Sequence, residues 1–309
     1  MVRLPPSRTR LVVVLALLLL ASACSRSAPQ QLPPPKPPLE FLGEWGIKGE
    51  GPGQLSLPTG IATDSLGNVY VVDAATKFVH KFNVKGGPLL SFQDGRLQYP
   101  AGIAVDVGGA IYVADSGRSS VLIYLPDGTF FKEIRGGPQG RLQKPREVGV
   151  SAEGKIFVLE TRDRIQVFDS RGRFLRPIPG QKSTSKNSQL WLGMAVSADG
   201  SLYVMDLEAA RVLKFNPEGQ LDPLWRIASK PSIGMNLAAS SRHLFLIDPG
   251  GLETDVWTLN GEHVGKFSTN RGQPPAHGSF GQSLAISPKG ELLILDAANA
   301  RVLRFRVNL

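Results

Sequence analysis

LYVMDLEAARVLKF, at residues 202–215, is nearly repeated at the end of the chain as LLILDAANARVLRF, at residues 292–305. Both stretches contain an apolar run that ends in Asp and an Arg-Val-Leu run that ends in Phe. Four related copies carry their acid at Asp73, Asp115, Glu160 and Asp248. The six acids lie 42, 45, 46, 42 and 48 residues apart, and a second shared stretch of the type PAGIAVD precedes each copy. A period of about 45 residues indicates a repeat architecture.

Each unit is built from short runs that are typical of strands. GIAV, IYVAD and VLKF are four to five residues long and rich in β-branched or aromatic side chains. Separators such as DVGG and SADG place Gly where a tight turn needs a positive φ. A fourth run, for example FFKEI or HVGKF, follows the third strand in units one to five. Six units of four strands predict an all-β fold, a six-bladed β-propeller of four-stranded blades.

The sixth unit ends at Leu309, directly after its third strand. FLGEWG, at residues 41–46, precedes the first unit and can supply the missing strand. This pairing would leave no exposed edge in the last sheet. We therefore expect residues 40–309 to form the propeller, closed by an N-terminal strand that completes the last blade.

The units resemble NHL repeats. The resemblance is carried by PAGIAVD at 100–106, GAIYVAD at 109–115, RVLKF at 211–215 and RVLRF at 301–305. It extends over about 270 residues and implies a six-bladed propeller, but propellers host many unrelated activities, so it implies no particular function. Blades three and five differ most from this repeat pattern, because Glu160 replaces the repeated Asp in blade three and the Gly turn is missing in blade five.

The repeated acid favours a structural role. A side-chain oxygen at the end of the second strand can accept N–H groups of the turn that follows. Arg211 and Arg301, five residues after Asp206 and Asp296, are suited to pair with these acids. We expect the six acids to hold turns rather than to catalyse a reaction.

The N-terminus indicates export. Three arginines precede the apolar run LVVVLALLLL, which is too short to span a bilayer but suits a secretory signal. Cys24, the only cysteine, follows Ala21-Ser22-Ala23 in a pattern that resembles a bacterial lipobox, in which the cysteine is acylated. The same tripeptide also suits the ordinary signal peptidase, and both alternatives cleave after Ala23. We predict a signal peptide at 1–23 and a lipid-attachment cysteine with a Pro-rich tether at 24–39.

The net charge of +9 is unevenly distributed. The signal peptide carries +3 and the tether +2, which leaves +4 on the propeller. Loops that follow fourth strands should share a face with the turns that follow second strands, and this face collects cations from blades two to four. The predicted basic face consists of Arg118, Arg135, Arg141, Lys144, Arg146, Arg162, Arg164, Lys182 and Lys186.

An exported protein meets no nucleic acid, so anionic lipid, surface polysaccharide or an acidic envelope protein is the expected partner of this face. A solvated surface that only keeps the protein soluble is the alternative. We expect a monomer, without a cofactor, in the outer membrane, on its periplasmic side, or at the cell surface.

Enzymatic function is the alternative to binding, since six-bladed propellers include lactonases and an amidating lyase with metal ions in the channel. The four histidines, at positions 80, 243, 263 and 277, occupy different places in their blades and do not predict a metal site. Blade three puts Glu147 where blades one and two put Gly60 and Gly102, and Glu160 should lie on the same face. Paired carboxylates can bind a metal ion or transfer protons. Neighbouring arginines favour ion pairs instead.

These observations favour a membrane-tethered, non-enzymatic binding module with no catalytic residue and no metal. The alternative is a metal-dependent hydrolase or lyase, similar to a lactonase, that uses Glu147 and Glu160 at the channel mouth of blade three.

Overall fold

A computed structural model describes most of the chain from residue 38 onward, and the fold below is that of the unit Pro37–Leu309. The described residues are 38–138, 140–161, 164–180, 191–206, 209–227, 236–248, 253–269 and 282–309. The predicted signal peptide, Cys24 and nearly all of the tether lie outside them. In these ranges no helix is long and apolar enough to cross a membrane.

The described residues form seven antiparallel sheets, and six of these are arranged in a ring, which confirms the six-bladed β-propeller. The seventh is a two-stranded sheet of Gly136–Gly137 and Gly140–Arg141 in the loop before blade three. The strands of blades one to three are Pro58–Thr63, Val69–Asp73, Phe78–Phe82 and Pro88–Gln93, then Pro100–Val105, Ile111–Asp115, Ser120–Tyr124 and Phe130–Ile134, then Pro145–Val150, Ile156–Glu160, Arg164–Phe168 and Phe174–Pro179. The strands of blades four to six are Trp191–Val196, Leu202–Asp206 and Arg211–Phe215, then Asn236–Ala239, His243–Ile247, Glu253–Thr258 and His263–Ser268, then Gln282–Ile286, Leu292–Asp296, Arg301–Val307 and Leu39–Trp45. The first strand of every blade contacts the first strand of the next, and blade six contacts blade one in the same way.

The second strand of each blade is the most deeply buried. Every residue of Val69–Asp73 and of Ile111–Asp115 is buried, because both faces of the strand pack against neighbouring blades. Six apolar clusters fill the spaces between adjacent blades, and each cluster takes its residues from two blades. The cluster between blades six and one, for example, contains Leu295 and Val71. Stability therefore comes from contacts between blades, as expected for a repeat protein.

The N-terminal strand closes the ring as predicted. Leu39–Trp45 pairs antiparallel with Arg301–Val307, in a register that sets Phe41 opposite Phe305. The two phenylalanine rings meet edge to face at 5.5 Å, and Trp45 lies 4.7 Å from the ring of Phe82 in blade one. The strand therefore completes blade six and also packs against blade one.

Blade four differs in detail from the other five. Its first three strands form a regular ladder, but the expected fourth strand at residues 222–227 is replaced by an irregular segment. Only a single bridge, between Phe215 and Leu221, continues the pairing. Pro223 lacks the N–H group that a ladder needs, and the Trp225 indole donates to a backbone carbonyl of blade five at 2.8 Å. This segment therefore contacts both blades, because the Trp225 ring also packs edge to face on Tyr203 of blade four at 5.4 Å and the Asp222 N–H donates to the Lys214 carbonyl at 2.9 Å.

Candidate functional site

The repeated acid binds the backbone at the end of the second strand. Asp115 is fully buried, and its carboxylate accepts three backbone N–H groups. The donors and their distances are Gln98 at 2.7 Å, Tyr99 at 3.0 Å and Arg118 at 2.8 Å. Asp73 accepts N–H groups from the same two segments in blade one, the residues before the first strand and the turn after the second. The acid therefore ties two loops together on one face of the blade.

The two Arg residues expected to pair with this acid do so. Arg211 lies 3.3 Å from Asp206, and Arg301 lies 2.8 Å from Asp296. In both blades the carboxylate also accepts an N–H from the following turn. The carboxylates are thereby engaged in structural contacts.

Glu160 has the same structural role in blade three. Its side chain is fully buried, forms an ion pair with Arg164 and accepts the Gln143 N–H. Glu160 does not line the cavity at the channel mouth, whereas Glu147 does. The expected carboxylate pair at the mouth is therefore not formed, because the Glu160 carboxylate is used inside the loop that it stabilises.

Every blade has a position equivalent to that of Glu147 on its first strand, which we call the inner strand. In blades one to four this position lies two residues after the start of the strand. Strand registers place Glu147, Asn236 and Ser283 opposite the residue just before the repeated acid position. Glycine occupies this position in blades one, two and four. The six residues around the axis are Gly60, Gly102, Glu147, Gly193, Asn236 and Ser283. The polar side chains thus belong to blades three, five and six, and the glycines to blades one, two and four.

The glycines of blades one and two permit close packing of the inner strands. A Cβ on Gly102 would lie 2.6 Å from the carbonyl oxygen of Arg146 and 2.9 Å from the Cα of Glu147. A Cβ on Gly60 would lie 3.1 Å from the Cα of Gly102. Blades one to three therefore approach one another at the axis more closely than side chains would allow.

The three polar residues of the ring are connected by hydrogen bonds. The Glu147 carboxylate accepts the Met194 N–H of blade four at 2.6 Å and the side-chain amide of Asn236 in blade five. The Asn236 amide also donates to the Ser283 hydroxyl at 3.4 Å. Burial raises the pKa of Glu147 to about 7, although these hydrogen bonds and the charge of Arg146 oppose the rise. Glu147 therefore changes charge near neutral pH.

These residues line a cavity of about 400 Å³ at the mouth of the channel. Ser116 and Thr161, which follow second strands, border it, so the cavity opens on the predicted basic face. Cations at its rim are Lys144 and Arg146. The floor of the cavity is apolar and is formed by the residues that directly follow the ring positions on the inner strands. These residues are Ile103, Val148, Met194, Leu237 and Leu284. The cavity is thus cationic at the rim, polar in the middle and apolar at the bottom.

The two cations at the rim form no close ion pair with a described carboxylate, although the charge of Arg146 acts on Glu147. Within the described ranges, neither Lys144 nor Arg146 forms an ion pair, and the Arg146 Nη1 atom is buried without a hydrogen-bond partner. A buried guanidinium nitrogen without an acceptor is costly. An anion in the cavity would supply the missing acceptor.

Only part of the predicted basic face keeps free charge. Arg118 and Arg135 both pair with Glu133, at 2.7 and 2.8 Å. Burial of Glu133 by itself would raise its pKa, but hydrogen bonds from the two arginines hold it at about 2. Arg164 pairs with Glu160, as described above. Arg141 is exposed and forms no ion pair with the described residues, and it lines a second pocket with Arg118 and Arg135 rather than the cavity at the channel mouth.

Three members of the predicted basic face, Arg162, Lys182 and Lys186, lie outside the described residues, as does His277. The other histidines stand apart from the mouth. His80 is buried beside Phe78, and His263 contacts Asp255 at 3.3 Å. Among the described residues, no group of three or more His, Cys, Asp and Glu side chains could hold a metal ion.

Sequence reasoning missed Asn236, Ser283 and Glu133. The first two occupy the Gly60 and Gly102 position of their units, so a column-by-column alignment of GMNLAA and GQSLAI with PAGIAV could have found them. Glu133 lies in a fourth strand, FFKEI, and nothing in its local sequence indicates that two arginines from separate loops meet it.

Comparison with known proteins supports the fold. The NHL repeat family model matches residues 97–124, in blade two. No curated protein matches the chain. A streptogramin B lyase structure is similar with 12% identity and a TM-score of 0.58, over 87% of this chain and 98% of that chain. A virginiamycin B lyase from Staphylococcus aureus has 14% identity and a TM-score of 0.57, over 86% and 88%.

A nidogen/laminin complex is also similar, with 20% identity and a TM-score of 0.55 over 68% of this chain and 80% of that chain. Identities this low show a shared propeller fold and nothing about the activity. The class of the protein is therefore a six-bladed β-propeller with an NHL-type repeat.

Proposed function

We propose that this protein is an exported, lipid-anchored binding module, not an enzyme, that meets an anionic partner in the cell envelope through the mouth face of its propeller. The observation that carries the proposal is the positive charge of Lys144 and Arg146 at the cavity, together with that of exposed Arg141 in the loop before blade three. None of the three forms an ion pair with a described residue. Anionic lipid, polysaccharide and an acidic envelope protein are the candidate partners.

The N-terminal sequence supports export and anchoring. The apolar run before Cys24 suits a secretory signal, and acylation of Cys24 would fix the protein to a membrane. Two or more acyl chains anchor a protein stably, whereas one chain binds only marginally. The Pro-rich tether would then hold the propeller away from the surface, at about 3.1 Å per residue.

Electrostatics gives this proposal a sharp test. Changing Arg141 and Lys144 to Glu reverses two exposed charges that form no ion pair in the described residues, so we expect an unchanged melting temperature. Changing Lys85 and Lys289 to Glu makes the same charge change in two turns of the opposite face. Retention on envelope extract and on anionic liposomes should fall for the first variant alone.

Salt provides the second arm of the test. The Debye length falls from about 10 Å at 0.1 M to about 3 Å at 1 M salt, so retention of the parent protein should weaken as well. Equal retention of both double variants and the parent at low salt would contradict the proposal. Retention on extract without retention on liposomes would assign the partner to protein or polysaccharide.

Anchoring is tested separately. Cys24→Ala should abolish labelling with palmitate and should release the protein from the membrane fraction, whereas Ser27→Ala should change neither. Unlabelled parent protein in the soluble exported fraction would contradict the lipoprotein assignment.

An enzymatic function is the second candidate, and the pKa of Glu147 near 7 is the observation that favours it. A general base is most effective when its pKa lies near the working pH. Two of the similar structures are lyases, which agrees with such a function, but the shared fold alone does not transfer it. Titration with Ca²⁺, Mg²⁺ and Zn²⁺ tests the metal-dependent form: binding that is lost in Glu147→Gln would support the enzyme.

A further inference from the structure

The mouth cavity contains three chemically distinct layers in a space of about 400 Å³, which is in the range of small-molecule sites. The rim offers the Arg146 guanidinium, one nitrogen of which is buried and has no acceptor among the described residues. The middle offers the Asn236 amide and the Ser283 hydroxyl, and the floor is formed by apolar side chains. A ligand that satisfies all three layers has a charged head and a compact apolar body.

We propose that this cavity binds a singly charged amphipathic carboxylate, whose head pairs with Arg146 and whose apolar body covers the floor, and that Glu147 takes up a proton when the ligand binds. This inference extends the proposed function and rests on it in one respect, because both place the ligand on the mouth face of the propeller. It names a small molecule in the cavity rather than a macromolecule on the rim.

Proton uptake follows from the position of Glu147. A carboxylate bound against Arg146 would lie beside the Glu147 carboxylate, and like charges at such distances disfavour each other. Protonation of Glu147 removes this repulsion and leaves its hydrogen bond from Met194 possible, because a protonated carboxyl still has acceptor capacity. Since the pKa of free Glu147 is about 7, the proton is available at neutral pH.

The ionisable groups near Glu147 are few. Arg146 and Lys144 precede it on blade three, and Tyr99 borders the cavity from the loop before blade two. The described first strands of the other five blades contain no Asp, Glu, His, Lys or Arg. Among the described residues that line the cavity, Glu147 is the only carboxyl group.

The binding test uses the full chain and a defined panel of compounds, acetate, butyrate, octanoate and octanol, measured by calorimetry at pH 6 and pH 8. Affinity should increase from acetate to octanoate by up to about fourfold for each buried methylene. Octanol, which lacks the charge, should bind at least tenfold more weakly than octanoate at pH 6. Equal affinity for octanol and octanoate, or no binding of octanoate, would overturn the proposal.

The proton is tested by linkage. Because Glu147 is mostly protonated at pH 6 and mostly ionised at pH 8, octanoate should bind about tenfold more weakly at pH 8. Calorimetry in buffers with different ionisation enthalpies should show uptake of up to about one proton at pH 8. Glu147→Gln should bind equally well at both pH values, and persistence of the pH dependence in this variant would exclude Glu147.

Arg146→Gln should weaken octanoate binding at least tenfold, because a charge-assisted hydrogen bond is lost. Arg173→Gln, at an exposed turn on the opposite face of the same blade, should leave it unchanged. Melting temperatures verify that each variant is folded. Loss of envelope retention without loss of octanoate binding would contradict only the macromolecular partner. Loss of octanoate binding without loss of envelope retention would contradict only the cavity ligand.

Discussion

Replacing Asp115 tests whether the repeated acid stabilises the fold. The buried carboxylate accepts three backbone N–H groups at 2.7–3.0 Å, and Asp115→Ala would leave all three without this acceptor. A buried donor left unsatisfied costs about 1–3 kcal/mol. Because the three N–H groups are only partly buried and water can reach some of them, we expect a total loss of about 3–4 kcal/mol. Asp115→Asn keeps one oxygen and should cost about half as much.

The assay is thermal unfolding followed by circular dichroism. For a domain of this size, 1 kcal/mol shifts the melting temperature by about 2–4 °C, so Asp115→Ala should lower it by about 10 °C. Asp127→Ala is the matched control, because this acid accepts a single exposed N–H in a surface turn. Its melting temperature should stay close to that of the parent protein. An unchanged melting temperature for Asp115→Ala would refute a structural role and would reopen a chemical one.

Three further predictions concern the rest of the fold. Deletion of Leu39–Trp45 should destabilise the whole ring, because blade six loses its edge strand, whereas deletion of residues 25–37 should leave the melting temperature unchanged; equal values would contradict the observed closure. Gly102→Ala should lower the melting temperature by several degrees, since its Cβ would clash with the backbone of blade three, and an unaffected variant would show that the inner strands can separate freely. Burial lowers the pKa of His80 to about 4, so between pH 6.5 and pH 4 the unfolded chain binds a proton at this residue that the folded chain does not bind. His80 should therefore lower the free energy of unfolding by about 3 kcal/mol as the pH falls from 6.5 to 4. His80→Gln should therefore lose less stability than the parent between pH 7 and pH 4.5, as followed by urea unfolding, and an equal loss would assign the acid sensitivity to other groups.

The fold was predictable from sequence because its determinants are local and repeated. Strand periodicity, Gly turns and the acid at the end of each second strand occur in every unit, and the unpaired third strand at the C-terminus required a partner that residues 41–46 could provide. The structure confirms this closure. Blade four is the exception in detail, since Pro223 and the contact of Trp225 with blade five replace the expected fourth strand.

The candidate site was predictable only in part. Glu147 was recognisable because it departs from the Gly of blades one and two, and the cavity does contain it. Glu160 was expected beside it, yet an ion pair with Arg164 keeps its carboxylate inside the blade. The basic face was read from charges close in sequence, but Arg118 and Arg135 meet Glu133 only in the folded chain.

The sequence by itself therefore determined the repeat and the number of blades, since both follow from residue patterns within about 50 positions. It also determined the closure of the ring, because the sixth unit lacks a fourth strand and residues 41–46 offer one before the first unit. Only the tertiary structure decided which charges remain free and which polar residues meet at the axis. Glu147, Asn236 and Ser283 are separated by 89 and 47 residues, and they converge because ring closure brings equivalent positions of different blades to one axis. Ion pairs and hydrogen bonds depend on distances of a few ångströms, and a sequence pattern does not contain those distances.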